Sequence, residues 1–146
     1  MGVLKCVCIS KERKASAYNV HNCGATKKGL EGDIHYGVSN KQISLLPCDK
    51  VREYFEEKGE DILYGRFGEN LVVEGIGWKD ICIGKRFISG NVILEVVKIG
   101  AGGPASDAYK GEKVCSPMEP YFVFCKVIRS GILAENDEIY EMDERM

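Results

Sequence analysis

Short apolar runs alternate with polar, glycine-rich stretches along the chain, and this spacing predicts many strands and one helix. Met1–Ser10 (MGVLKCVCIS) reads as a first strand, with Cys6 and Cys8 two apart on one face. Lys11–Leu30 is polar and reads as a loop leading into a glycine-punctuated segment. Lys41–Leu46 (KQISLL) is a short strand. In Pro47–Lys58 (PCDKVREYFEEK) the period changes to that of a helix. Val51, Tyr54, Phe55 and Lys58 share a face, Pro47 suits the first turn, and Gly59 sits where the helix should end.

Asp61–Glu69 reads as a loop and Asn70–Glu74 (NLVVE) as a strand. Trp78–Ile83 leads into a turn at Gly84. Lys85–Ser89 and Asn91–Lys98 flank Gly90-Asn91, a dipeptide suited to a hairpin turn. Val92, Leu94 and Val96 fall on one face of the second arm, and Ile93, Glu95 and Val97 on the other. Ile99–Pro120 is long, irregular and rich in glycine and proline, a length that usually marks a functional or mobile loop. Tyr121–Ile128 (YFVFCKVI) is a buried strand, Arg129–Gly131 a turn and Asp137–Glu141 a last strand. The expected fold class is mainly β: a barrel or curled sheet with one substantial helix and short helical insertions. Residues 1–146 read as a single domain.

Composition narrows the function. Lys plus Arg numbers 20 against 22 for Asp plus Glu, a balance that argues against a protein tracking a nucleic-acid backbone. No stretch reaches the ~18 apolar residues of a membrane span. Lys5 interrupts the first apolar run, which favours a strand over a signal peptide. Cysteines number seven, an odd count with no C-x-x-C pair, so zinc-ribbon, dithiol and disulfide-framework readings lose their support. A reducing, cytoplasmic setting is expected.

Three segments carry candidate chemistry. Gly29–Gly37 (GLEGDIHYG) brackets Asp33 and His35 with glycines, and in an extended segment the carboxylate and imidazole would project together. The alternative is a turn bearing a surface Asp–His pair. Gly65–Leu71 (GRFGENL) makes a tight bend with Arg66, Glu69 and Asn70, in which Arg66 could clamp a phosphate or carboxylate. The alternative is a loop closing onto the next strand, with Glu69 and Asn70 bonding backbone. No Walker loop or dinucleotide fingerprint occurs. Cys115, near Lys110 and Lys113 in the long loop, is the thiol best placed for reactivity, against the alternative of a spare loop cysteine. Cys48, at the helix N-terminus, is a second candidate; Cys125 reads as core, and Cys82 has no obvious partner.

The order of these motifs resembles the MOSC domain, the family named for the C-terminal domain of molybdenum cofactor sulfurase, and within it the small stand-alone bacterial type. The resemblance runs from the first strand to about Met142 and rests on G-D-x-H-x-G (Gly32, Asp33, His35, Gly37) followed by F-G-E-N-L (Phe67 to Leu71). It implies a β-barrel and a role with molybdenum cofactor (molybdopterin), as a holder or as a carrier of sulfur to it. Cys115 would be the sulfur carrier and candidate molybdenum thiolate ligand, and Asp33 and His35 would be proton-handling or orienting groups. Gly32, Gly37, Arg66, Gly68, Glu69 and Asn70 would be cofactor-binding, with Arg66 meeting the phosphate.

The resemblance also implies partners: a pyridoxal-phosphate cysteine desulfurase as separate sulfur donor and a molybdoenzyme as acceptor. No pyridoxal phosphate site is expected in this chain, and neither nucleic acid nor membrane is an expected partner. One departure stands out. Small relatives usually carry a cysteine shortly after the glycine in a segment like I-G-K-E-C-H, whereas this chain has Ile99-Gly100-Ala101-Gly102-Gly103-Pro104, and Asp107 where a second cysteine often stands. Cys115 matches a later cysteine of that loop. Two alternatives therefore stand beside the first reading: a non-catalytic binding module on the same shell, and a cofactor-dependent reductase of N-hydroxylated compounds. A thiol hydrolase using Cys115, His35 and Asp33 is a further possibility.

Overall fold

The computed structural model describes residues 2–12, 16–77, 81–100 and 118–142. Its elements are β1 (Gly2–Ile9), β2 (Tyr18–Asn19), β3 (Asn22–Thr26), β4 (Gly29–Leu30), β5 (Ile43–Pro47), α1 (Cys48–Lys58), β6 (Leu71–Glu74), β7 (Arg86–Ser89), β8 (Val92–Ile99), β9 (Val123–Arg129), β10 (Gly131–Ala134) and β11 (Glu138–Glu141). A short 3-10 turn, Glu119–Tyr121, precedes β9. Seven strands close into a barrel in the order β11-β7-β8-β9-β5-β6-β1, with β1 returning to β11 through the pairs Gly2–Ile139 and Val3–Glu138. Closure leaves no free edge in this ring. Strand β2 adds to β1, and β10-β3-β4 forms a separate small sheet.

Neighbours in the ring are antiparallel except β5 and β6, which run parallel. A parallel pair needs a long crossover, and α1 supplies it. The helix starts directly after Pro47, which is its N-cap (φ −70, ψ 133) rather than part of its first turn. Gly59 ends it in the left-handed region at φ 68, its N–H reaching the Glu56 carbonyl while the Glu60 N–H reaches that of Phe55.

The crossover divides the core in two. Leu4, Val7, Leu45, Leu71, Leu94, Val123 and Cys125 belong to the cluster that fills the barrel. Cys6, Cys8, Leu46, Val72, Phe122 and Phe124 point to the outer face, where Cys48, Val51 and Phe55 of α1 and Phe67 cover them. Strict alternation would place Leu4 with Cys6 and Cys8. A register shift between Leu4 and Cys6 breaks the alternation and turns Leu4 inward. The hairpin matches its expectation: Ser89 pairs with Val92 across Gly90-Asn91, with Gly90 at φ 59.

One expectation fails. The segment 11–30 is not a plain loop, because it carries β2, β3 and β4, and β3 pairs with β10 through Ile132–Gly24 and Leu133–Cys23. Strand β3 reads NCGAT, and of its residues Ala25 alone is buried. Its pairing is set by backbone bonds to β10, a partner more than a hundred residues away, and no hydrophobic period announces it. Among the described residues no helix is long and apolar enough to cross a membrane.

Candidate functional site

The site is built from the bend at residues 64–70. The Gly68 N–H donates to the Gly65 carbonyl at 3.0 Å, and both glycines are left-handed, at φ 90 and 83. The Ala17 N–H also donates to the Gly65 carbonyl, at 2.9 Å, and a Cβ at Gly65 would collide with the Ala17 carbonyl. Inside the bend lies Glu69, fully buried. Its carboxylate accepts the Gly65 N–H at 2.9 Å and the Phe67 N–H at 3.0 Å. Burial pushes the Glu69 carboxyl up to about 7, against the pull of N–H groups from Gly65, Glu69 itself and Phe67. Glu69 therefore holds the bend from within.

Asn70 follows, 3% exposed, and every hydrogen-bonding position of its side chain is filled. Its Oδ1 accepts the Ser44 N–H at 2.9 Å and the Ser44 hydroxyl at 3.2 Å, and its Nδ2 donates to the Cys8 carbonyl at 2.9 Å and to Asp33 Oδ1 at 3.2 Å. A main-chain donor on one side and a main-chain acceptor on the other fix which way the amide points. Asn70 thus joins β1, β5 and β6 to the glycine-bracketed segment that carries Asp33.

That segment is a run of turns, the alternative to an extended segment that the sequence also allowed. Gly32 at φ 84 and Gly37 at φ 75 reverse the chain, and the Tyr36 N–H bonds the Asp33 carbonyl at 3.0 Å. Asp33 and His35 meet because the carboxylate bridges its own turn. Asp33 Oδ2 accepts the His35 N–H at 3.1 Å and lies 3.2 Å from His35 Nδ1, while Oδ1 accepts the Ser10 N–H at 2.9 Å. Burial alone would raise the Asp33 carboxyl, but the His35 side chain, the Ser10 and His35 N–H groups and the His35 charge outweigh it and hold it below the usual range. An ionised carboxylate only accepts, so in the neutral ring Nδ1 carries the proton and Nε2 is bare. The His35 side chain is 37% exposed against 1% for that of Asp33, so a buried anion orients a half-exposed imidazole.

The two glycine-bracketed motifs adjoin through Asn70 and Asp33, as one network. Ser10 and Ser44 complete it, and neither carries a sequence signal beyond its place at a strand end. Arg66 is half-buried in the same bend, its carbonyl 3.4 Å from the Ser16 hydroxyl. Glu69 and Asn70, expected as cofactor-binding side chains, are instead committed to the loop and strand ends beside them.

Cys115, with Lys110 and Lys113, lies outside the described residues. Cys48 is not an activated thiol. It is 2% exposed, and burial raises it despite the Arg52 guanidinium 3.4 Å from the sulfur. Burial also pushes Cys125 up to about 12. Cys82 is exposed. Among the described residues no group of three or more His, Cys, Asp or Glu side chains could hold a metal ion.

A closed barrel with a βαβ crossover carries these two motifs on one hydrogen-bonded network. Residues 31–99 match the family model of the MOSC domain, a family associated with molybdenum cofactor. The barrel is also that of the YuaD protein from Bacillus subtilis, at 17% identity and a TM-score of 0.75 over 95% of this chain and 94% of that one. YiiM from Geobacillus stearothermophilus is similar at 15% identity and 0.74, over 98% of this chain and 76% of that one. YiiM from Escherichia coli is similar at 16% and 0.71, over 97% and 70%. No curated protein matches the chain by sequence.

Proposed function

We propose that this protein, as a single MOSC domain, binds molybdenum cofactor or a closely related phosphate-bearing pterin and acts as its holder or as a sulfur carrier in its maturation. The observation that carries this reading is the Asn70–Asp33 hydrogen bond, which draws the Gly32–Gly37 and Gly65–Asn70 segments into one site. The donor set suits the ligand. His35 offers an oriented imidazole with a bare Nε2, the exposed left-handed turns at Gly32 and Gly37 present backbone without side-chain bulk, and Arg66, half-buried in the adjoining bend, is the cation assigned to the phosphate. Bound cofactor would supply the metal and its dithiolene sulfurs.

In this assignment Cys115 is the thiolate ligand or the sulfur-carrying nucleophile, and Asp33 and His35 hold and move a proton at Nε2. Gly32, Gly37, Gly68 and Arg66 form the binding shell, and Glu69 and Asn70 support it from beneath. A sulfur carrier needs a donor, and a cysteine desulfurase is the proposed partner, with a molybdoenzyme as acceptor and the cytoplasm as the setting.

A second reading rests on the Ile99–Pro104 stretch, which lacks the cysteine of small relatives. On that reading the shell binds the pterin without sulfur chemistry. Molybdenum, phosphate and pterin analysis of protein purified from cells that make the cofactor tests both. Metal and pterin together support the first reading, pterin without thiol dependence supports the second, and neither ligand removes both.

A further inference from the structure

We propose that Asn70 is a positioning residue for His35: through Asp33 it fixes which imidazole nitrogen carries the proton and which faces outward. The inference rests on the reading of His35 as the proton-handling group, and it goes beyond it by assigning the control of that group to a side chain that cannot touch a ligand.

Asn70 is 3% exposed and has no hydrogen-bonding position left for a ligand. Its amide is locked by the Ser44 N–H and the Cys8 carbonyl, main-chain groups of β5 and β1. The remaining amide hydrogen is therefore aimed at one place, Asp33 Oδ1, at 3.2 Å. With the Ser10 N–H on the same oxygen, that contact fills Oδ1 and leaves Oδ2 for His35 alone. With Oδ1 held by Asn70 and Ser10 and Oδ2 by the His35 N–H, the carboxylate keeps one orientation, and the imidazole facing Oδ2 is held with Nδ1–H inward. Barrel rigidity is thereby passed to a half-exposed ring through two hydrogen bonds. Carboxylates that accept the outer ring N–H of a metal-bound histidine orient the ring in this manner.

The chain has two histidines, and the second provides an internal control. His21 Nδ1 lies 2.8 Å from Glu135 Oε2, a pair outside the Asn70 network. The experiment is 15N NMR of the imidazole rings in ligand-free protein, at a pH where both rings are neutral. A hydrogen bond to a charged acceptor makes the Nδ1–H to Nε2–H ratio at His35 about ten or more in the wild type. In Asn70→Ala the ratio at His35 should fall at least about threefold, with the His21 signals unmoved. Ser44→Ala, which removes one hydroxyl and keeps the Ser44 main-chain bonds, should move His35 in the same direction by less, and it serves if Asn70→Ala does not fold.

An unchanged His35 ratio in the variants that fold, or equal shifts at both histidines, overturns the inference. Because no cofactor is present, failure of cofactor binding and failure of this positioning role are separate results.

Discussion

Replacing Asn70 by Asp changes one NH2 to an oxygen without changing shape, and the structure sets its cost. The new oxygen faces the Cys8 carbonyl at 2.9 Å and Asp33 Oδ1 at 3.2 Å, where the amide had donated to both. Two carboxylate charges 3.2 Å apart repel by about 5 kcal/mol at an effective dielectric near 20. The pair escapes part of this by keeping one proton. Taking up a proton at pH 7 on a group that ordinarily titrates near ~4 costs about 4 kcal/mol. The native variant thus binds one proton more than its unfolded chain above about pH 4, so its stability relative to wild type falls as pH rises. The expected penalty is about 1 kcal/mol near pH 4, from the undonated Cys8 carbonyl, and it grows by about 1.4 kcal/mol per pH unit to about 5 kcal/mol near pH 7. Urea unfolding of both proteins, followed by far-UV circular dichroism at several pH values, reads this difference directly. Adding Asp33→Asn should flatten the pH dependence by removing one charge of the pair. A penalty under about 1 kcal/mol at pH 7, or one independent of pH, would refute the network as described.

Glu69 should give the wild type a measurable pH slope. Its carboxyl is raised to about 7 in the fold against 4.5 ordinarily, so stability falls as pH rises between those values, by an order-of-magnitude total of about 3 kcal/mol. Asp33, held low, contributes stability that is lost only as pH falls below its ordinary range. In Glu69→Gln one of the two N–H groups from Gly65 and Phe67 loses its acceptor, yet the penalty should shrink between pH 5 and 8 because the buried charge is gone; a penalty that grows contradicts the account. Gly59→Ala meets no atom within 4 Å and should cost about 1 kcal/mol from its backbone angle alone, whereas Gly65→Ala also strikes the Ala17 carbonyl and should cost clearly more in the same melts. With a limiting alkylating reagent at neutral pH, Cys115 should label before Cys6, Cys48 and Cys125, located by peptide mass mapping; labelling of Cys125 at the same rate would remove the sulfur-carrier role.

Legibility followed the physics of each element. The α1 helix and the β7–β8 hairpin were readable because each hydrophobic period is local and each turn residue is the one its backbone needs, with Gly59 at φ 68 and Gly90 at φ 59. Strands β3 and β10 were not, since what pairs them is a distant backbone and not a face of apolar side chains. The shift at Lys5, which turns Leu4 into the barrel, leaves no mark in the alternation of MGVLKCVCIS.

Of the site, Asp33, His35, Glu69 and Asn70 stood out by type and by their glycine frame. Their work was harder to read. A buried acid that ties a loop and an exposed acid that meets a ligand look alike in a sequence, and burial separates them: Glu69 is 0% exposed, and its oxygens are taken by Gly65 and Phe67. Burial decides Cys48 too, where the pull of Arg52 loses to desolvation.

We propose that the network from Ser44 to His35 supports a site for molybdenum cofactor, for which Cys115 is the reactive thiol. The direct measurement is molybdenum and pterin retained per chain after anaerobic loading with released cofactor and gel filtration, for wild type and Cys115→Ser in parallel. Wild type should retain close to one cofactor per chain, and Cys115→Ser should lose molybdenum with its fold intact. No retention by the wild type, or equal molybdenum in both proteins, would contradict it.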